Sequence, residues 1–163
     1  MARVVQVNVK GALPDAIGLP KHSVAAARVD PPGVEGDFNH YRHDRLHDEP
    51  ESAVLLMPRE TLEAIDRDGW PVRPGDLGEN LTTEGIAYEA MGPGRRLRVG
   101  EVVLEVTRAC DPCTSLYELP YVGPQKGPEF LKSMHGRRGW YAKVLRPGTV
   151  HTGDPIELLE GPP

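Results

Sequence analysis

The sequence predicts a mainly β domain with a few short helices, an α+β arrangement built on a barrel-like sheet. Three observations predict it. Glycine and proline number 18 and 17 in 163 residues, and that density of breakers divides a chain into many short elements rather than a helical bundle. The apolar segments between them are short, and several alternate with a period of two, as half-buried strands do. The composition, 39% hydrophobic and 26% charged, supplies a core and differs from that of disordered chains. At this length a single domain over residues 1–163 is expected.

Each element follows from local pattern. From Ala2 to Lys10, Val4, Val5, Val7 and Val9 surround polar Gln6 and Asn8 and read as a strand. A Gly/Pro-bounded turn follows, then a second strand over Ser23–Val29, ended by Pro31, Pro32 and Gly33. Residues 36–51 are polar, rich in His, Asp and Arg, and read as a long loop of the kind that is functional or mobile. Ala53–Met57 is wholly apolar and reads as a buried strand. Pro58 then suits a first helical turn, Leu62 and Ile65 keep helical spacing, and Gly69 stops the helix. Residues 71–84 read as loop. Strands are expected over Arg96–Val99 and Glu101–Val106 around Gly100, the second an edge or half-buried strand. A short helix is expected over Glu129–His135, and the last strands over Gly139–Leu145 and Pro155–Leu159.

Charge and length exclude some function classes. A net charge of -5 disfavours non-specific nucleic-acid binding, which needs a basic surface to release counterions. No apolar run approaches the roughly 18 residues that a membrane crossing needs, and the N-terminal residues lack the apolar stretch of a signal peptide. Two cysteines are too few for a disulfide scaffold and suit a reducing compartment. The cytoplasm is the expected location.

Four constellations could carry chemistry. Cys110-Asp111-Pro112-Cys113 has a spacing open to metal ligation, to a redox pair, to one reactive thiolate, or to two cysteines acting as small buried hydrophobes. No second such pair exists to complete a four-cysteine zinc site, and the segment after it is too short for the long helix of a thioredoxin motif. His40, His43 and His47 would share a face if helical and could bind a metal, or they are incidental in a solvated loop. Gly75-Asp76-Leu77-Gly78-Glu79-Asn80 would let backbone and side-chain amides approach a ligand, or is a tight turn; it matches neither a phosphate-loop nor a dinucleotide fingerprint. Arg137 and Arg138 between Gly136 and Gly139 could clamp a phosphate or carboxylate, or form a charged turn entering a strand.

In order along the chain, these segments resemble the MOSC domain family, related to the C-terminal part of molybdenum-cofactor sulfurases. The resemblance spans about 23–159. It rests on Gly33–Asp37, on His47 with Pro50 and Ala53, and on Gly78-Glu79-Asn80-Leu81. It continues through the Gly94–Gly100 turn, Pro112-Cys113, and Gly136–Tyr141 ahead of Val150–Asp154. It implies a MOSC-type β-barrel-like fold with Cys113 as the catalytic or metal-ligating residue, offered to molybdenum or to a transferable sulfur as a persulfide. It implies that Asn80 contacts the ligand and that basic residues hold its phosphate, with Arg42, His47 and Arg137 as candidates. The molybdenum cofactor (molybdopterin) would bring its own dithiolene sulfurs, so one protein thiolate would suffice.

Several positions depart from the family pattern. Asp48-Glu49 stand where many relatives carry Gly-Gly, Ser52 stands for a Lys, Leu77 for a Phe, and Cys110 is an extra thiol whose disulfide with Cys113 would switch the site off. Read as a standalone domain, the chain would need external electron-transfer proteins or a sulfur donor as partners, in sulfur transfer or in reduction of N-hydroxylated compounds. Pyridoxal phosphate is not expected, since no lysine stands out as a Schiff-base former. No partnership with nucleic acid or membrane is expected, and the sequence carries no signal for an oligomeric state. Two other functions stay open: a non-catalytic binding module of the same fold, and a metal or thiol enzyme using His40, His43 or His47 with Cys110 and Cys113.

Overall fold

A computed structural model of the chain describes residues 1–11 and 19–161. Its strands are β1 (Arg3–Val9), β2 (His22–Val24), β3 (Ala26–Asp30), β4 (Gly33–Val34), β5 (Val54–Pro58), β6 (Leu81–Glu84), β7 (Arg96–Val99), β8 (Val102–Ala109), β9 (Trp140–Arg146), β10 (Gly148–His151) and β11 (Ile156–Leu159). Its α-helices are α1 (His40–Leu46), α2 (Arg59–Arg67) and α3 (Gly123–Ser133). Most of the turn expected between the first two strands lies outside the described residues.

Eight strands form one sheet in the order β11-β7-β8-β9-β5-β6-β1-β2, and β10-β3-β4 form a second. The large sheet curls until its ends approach. Val4 N donates to Asp154 O at 2.9 Å, Gly153 N to Val4 O at 2.8 Å and Ile156 N to Ala2 O at 2.9 Å, around an antiparallel bridge between Arg3 and Pro155. The sheet is thus barrel-like by curvature, its ends joined by a bridge rather than by a continuous ladder. The small sheet packs on β1, β8 and β9. No helix among the described residues is long and apolar enough to cross a membrane.

β5 shows why an unbroken apolar run is needed there. All its residues are buried, because apolar groups cover both faces. Val54 and Leu56 enter the core enclosed by the curled sheet. Met57 enters a second apolar cluster with Leu62 and Ile65 of α2 and Phe130 of α3. α2 starts after Pro58 and ends before Gly69, as the sequence indicates. The alternation in β8 is observed as a half-buried pattern, with the strand lying inside the sheet between β7 and β9.

Five features differ from the sequence reading. The strand expected over Ser23–Val29 is two strands, β2 and β3, in different sheets. The polar stretch 36–51 contains α1, capped by Asn39, whose side chain accepts from Arg42 N, and by His47 in the left-handed region at φ 51°. The segment read as loop contains β6, which runs parallel to β5. Its middle residues Thr82 and Thr83 are fully buried polar side chains, so no apolar periodicity marks it. α3 begins at Gly123, ahead of the helix expected over Glu129–His135, with Pro124 in its first turn and Pro128 inside it. β10 lies between the two strands expected last.

Candidate active site: a cavity lined by Cys113

β8 ends at Ala109 and the chain turns across the end of β9. Cys110 N donates to Gly139 O at 2.8 Å, and Cys113 opens a short 3-10 turn over Thr114–Glu118. Cys110 is buried and Cys113 half-buried, and both are free thiols. The Cys113 sulfur lies 2.7 Å from Ser115 Oγ. Both cysteines line a cavity of about 700 Å³ with Lys21, His40, Tyr41, Leu55, Leu77, Gly78, Arg108, Arg138 and Tyr141 in its wall.

The cations of that wall differ in how far their donors are used. Lys21, almost fully buried, pairs with Asp37 at 2.7 Å. Arg108 pairs with Glu49, donates to Ser52 Oγ at 2.7 Å, and stacks its guanidinium 5.2 Å from the centre of the Tyr141 ring. Arg138 is only 5% exposed, yet its Nε and Nη1 have no hydrogen-bond partner among the described residues. Its backbone is held by its neighbour. The Tyr88 hydroxyl donates to Gly139 O at 3.1 Å and accepts from Gly139 N at 3.0 Å, while Trp140 Nε1 donates to Tyr88 O at 2.9 Å.

Burial, and then the Cys110 thiol beside it, push the Tyr141 phenol well above its ordinary range. The phenol therefore stays protonated as a wall group. Glu49 is held below its usual carboxylate value by Ser52 and Arg108. Glu49 is therefore ionised and paired.

A second cavity of about 610 Å³ adjoins the first. Arg42, His43, Asp48, Ser52 and Asn80 line it, and Asn39, Leu55 and Tyr141 line both. The candidate residues from the sequence are thus distributed unevenly. Cys113 lines the first cavity. Arg42 and Asn80 line the second, and both are committed to structure. Arg42 donates to the carbonyls of Pro32, Asp48 and Glu49. Asn80 accepts from Leu55 N at 3.1 Å and donates to Asp37 Oδ2 at 2.9 Å. His47 is exposed at the end of α1. Arg137 lines neither cavity and is bound to Ser133 O and Asp68, each at 2.6 Å.

The histidines do not converge with the thiols. His40 lines the first cavity, His43 pairs with Asp48 at 2.7 Å, and His47 faces outward. Among the described residues no three His, Cys, Asp or Glu side chains are grouped to hold a metal ion. That leaves the histidine-cysteine metal enzyme without a geometric basis. Lys21 and Arg108 were not among the candidates from the sequence, and Arg138 was one only as half of the Arg137-Arg138 clamp. The Arg137-Arg138 doublet was visible, but which member turns inward depends on the bend at Gly139, at φ 113°.

Comparison with known proteins bears on this site. A family model for the MOSC domain matches residues 43–157. Protein YiiM of Escherichia coli (strain K12) is 30% identical over 132 residues, which cover 78% of this chain and 56% of that protein. The chain thus spans little more than half the length of that relative. A protein named reductase from Gibberella moniliformis is 37% identical over 91 residues, 54% of this chain and 15% of its own. Among solved structures, the YUAD protein of Bacillus subtilis superposes with a TM-score of 0.78 at 22% identity, covering 96% of this chain and 94% of that one; this likeness is one of fold.

Proposed function

The chain belongs to the MOSC domain family, and from that premise we propose that it binds a molybdenum cofactor with the Cys113 thiolate as the protein's ligand to the metal. One observation carries the reading: a half-buried thiol and a buried, unpartnered guanidinium line the same cavity. A thiolate is a soft ligand suited to such a metal, and a guanidinium suits an anionic group. The residues present therefore fit a molybdopterin: the thiolate would ligate its metal and the guanidinium would hold its phosphate.

When bound, the cofactor supplies electron transfer at the metal and the remaining sulfur ligands. The chain's own residues position and protect. Ser115 Oγ, 2.7 Å from the Cys113 sulfur, is within hydrogen-bond distance and fixes its direction. Arg108 neutralises Glu49, which reduces the repulsion of an anionic ligand at a rim that Asp111 also lines. Arg42 and Asn80 act at one remove as positioning residues. The first pins the Asp48–Glu49 carbonyls, and the second ties β5 to Asp37. His47 and Arg137, at their present positions, have no direct contact to offer this cavity.

The similarity to a protein named reductase, in which the match occupies 15% of the length, supports a redox role that depends on an external electron donor. N-hydroxylated compounds are the substrate class of this reading. The two free thiols fit a reducing compartment, here the cytoplasm.

Protein made in a host with active cofactor synthesis is expected to carry molybdenum and pterin in near-equal amounts. Cys113→Ser is expected to lose the molybdenum while remaining folded. Wild-type protein without either component, or a Cys113→Ser variant with unchanged molybdenum, contradicts the proposal. Sulfur released by cyanide from Cys113, with no molybdenum present, would make the protein a sulfur carrier instead.

A further inference from the structure

We propose that Arg138, not its neighbour Arg137, is the oxyanion seat of the Cys113 cavity and that it takes the phosphate group of the ligand. The inference rests on the cavity being a ligand site and says which residue holds which part of the ligand.

A guanidinium carries five N–H donors arranged as a fork that matches two oxygens of a phosphate. A buried cation without partners is costly, and native structures rarely keep one unless it has a use. Arg138 is such a group: 5% exposed, Nε and Nη1 without partners, in the wall of the cavity that also holds Cys113. The other Arg and Lys side chains of that wall are already committed, Arg108 to Glu49 and Ser52, and Lys21 to Asp37. Arg137 is committed to Asp68 outside it.

Two neighbours leave the guanidinium accessible to an anion. Gly78 lines the same cavity, and a Cβ on it would stand 3.9 Å from Arg138 Nη2 and clash with Leu19. The missing side chain leaves that end of the guanidinium uncovered. Buried Glu79 feels the charge of Arg138, but among the described residues no ion pair joins the two, and Glu79 Oε2 also lacks a partner. Glu79 thus leaves the fork of the arginine unoccupied.

The test uses inorganic phosphate and the cofactor-free full chain, by calorimetric titration and thermal melting. Phosphate is expected to raise the melting temperature of the wild type and of Arg137→Met alike. Arg138→Met is expected to lose at least about tenfold in phosphate affinity, and Arg138→Lys to retain part of it. In phosphate-free buffer Arg138→Met is expected to melt no lower than wild type, since it removes an unpaired buried charge. A merely structural arginine would do the opposite.

Phosphate affinity unchanged in Arg138→Met, lost in Arg137→Met, or absent from the wild type overturns the proposal. Should Arg138→Met not fold, Arg138→Lys decides, and wild-type affinity in it counts against a fork. The molybdenum reading fails separately: the metal would be missing while Arg138-dependent phosphate binding persists. The seat fails alone if Arg138→Met protein carries a full complement of molybdenum and pterin.

Discussion

Lys21 and Asp37 form an ion pair of 2.7 Å in which both side chains are nearly sealed from solvent. The same Asp37 oxygen takes Asn80 Nδ2 at 2.9 Å, and the other takes Lys10 N at 2.8 Å. The carboxylate therefore ties β1, the segment entering β2 and the start of β6 together behind the cavity. Asp37→Ala would leave a buried ammonium without a partner. The expected loss is about 3–5 kcal/mol of stability, read from the shift in a urea unfolding midpoint, with a smaller loss in Asp37→Asn.

Asp48 adopts a left-handed backbone at φ 55°, a region that favours glycine. Its side chain pairs with His43, but both groups are half exposed, so the pair adds little. Asp48→Gly is expected to lie within about 1 kcal/mol of wild type, on the neutral or stabilising side. Asp48→Val should be clearly destabilised, since a β-branched residue tolerates that conformation poorly. Thermal melts of the two variants check the contrast.

Burial raises the Glu79 carboxyl above its ordinary 4.5, against the hydrogen bonds from the Gly75 and Glu79 backbone and Thr82 and the charge of Arg138. The native state thus holds a proton over a range in which the unfolded chain has released it. This contribution is fully present below 4.5 and is lost as pH rises through the native value. Glu79→Gln lacks the titration. The stability of wild type relative to that variant should decline as pH is raised from 4.5, in paired denaturant titrations.

Glu49 has the opposite sign. Ser52 and Arg108 hold its carboxyl below 4.5, so its contribution is present above 4.5 and is lost as pH falls through the native value. The stability difference between wild type and Glu49→Gln should therefore shrink in acid. A difference that stayed constant down to the acid limit of the fold would mean that the Arg108 pair does not form.

How much of this was legible in the sequence depends on what holds each part in place. Elements held by apolar burial could be read directly: β5 from its unbroken run, α2 from Leu62 and Ile65, and β8 from its alternation. Elements held by polar contacts could not. β6 is fixed by Thr82, whose Oγ1 accepts from Asn8 and donates to Glu79, and α1 by its caps and by Arg42 on three carbonyls. Neither leaves a period in hydrophobicity. At the site, Cys113 was legible from Pro112-Cys113 in its order among the family segments. The cation with unused donors was not, because Arg137 and Arg138 are the same residue type and only the chain bend separates Asp68 from the cavity.

The most direct test is the reaction of the two native thiols with iodoacetamide, mapped by peptide mass. Both thiols line the cavity, but Cys110 is buried and Cys113 only half-buried, so Cys113 should react faster by on the order of tenfold or more. Equal rates, or faster modification of Cys110, would contradict the assignment of Cys113 as the thiol presented to a ligand.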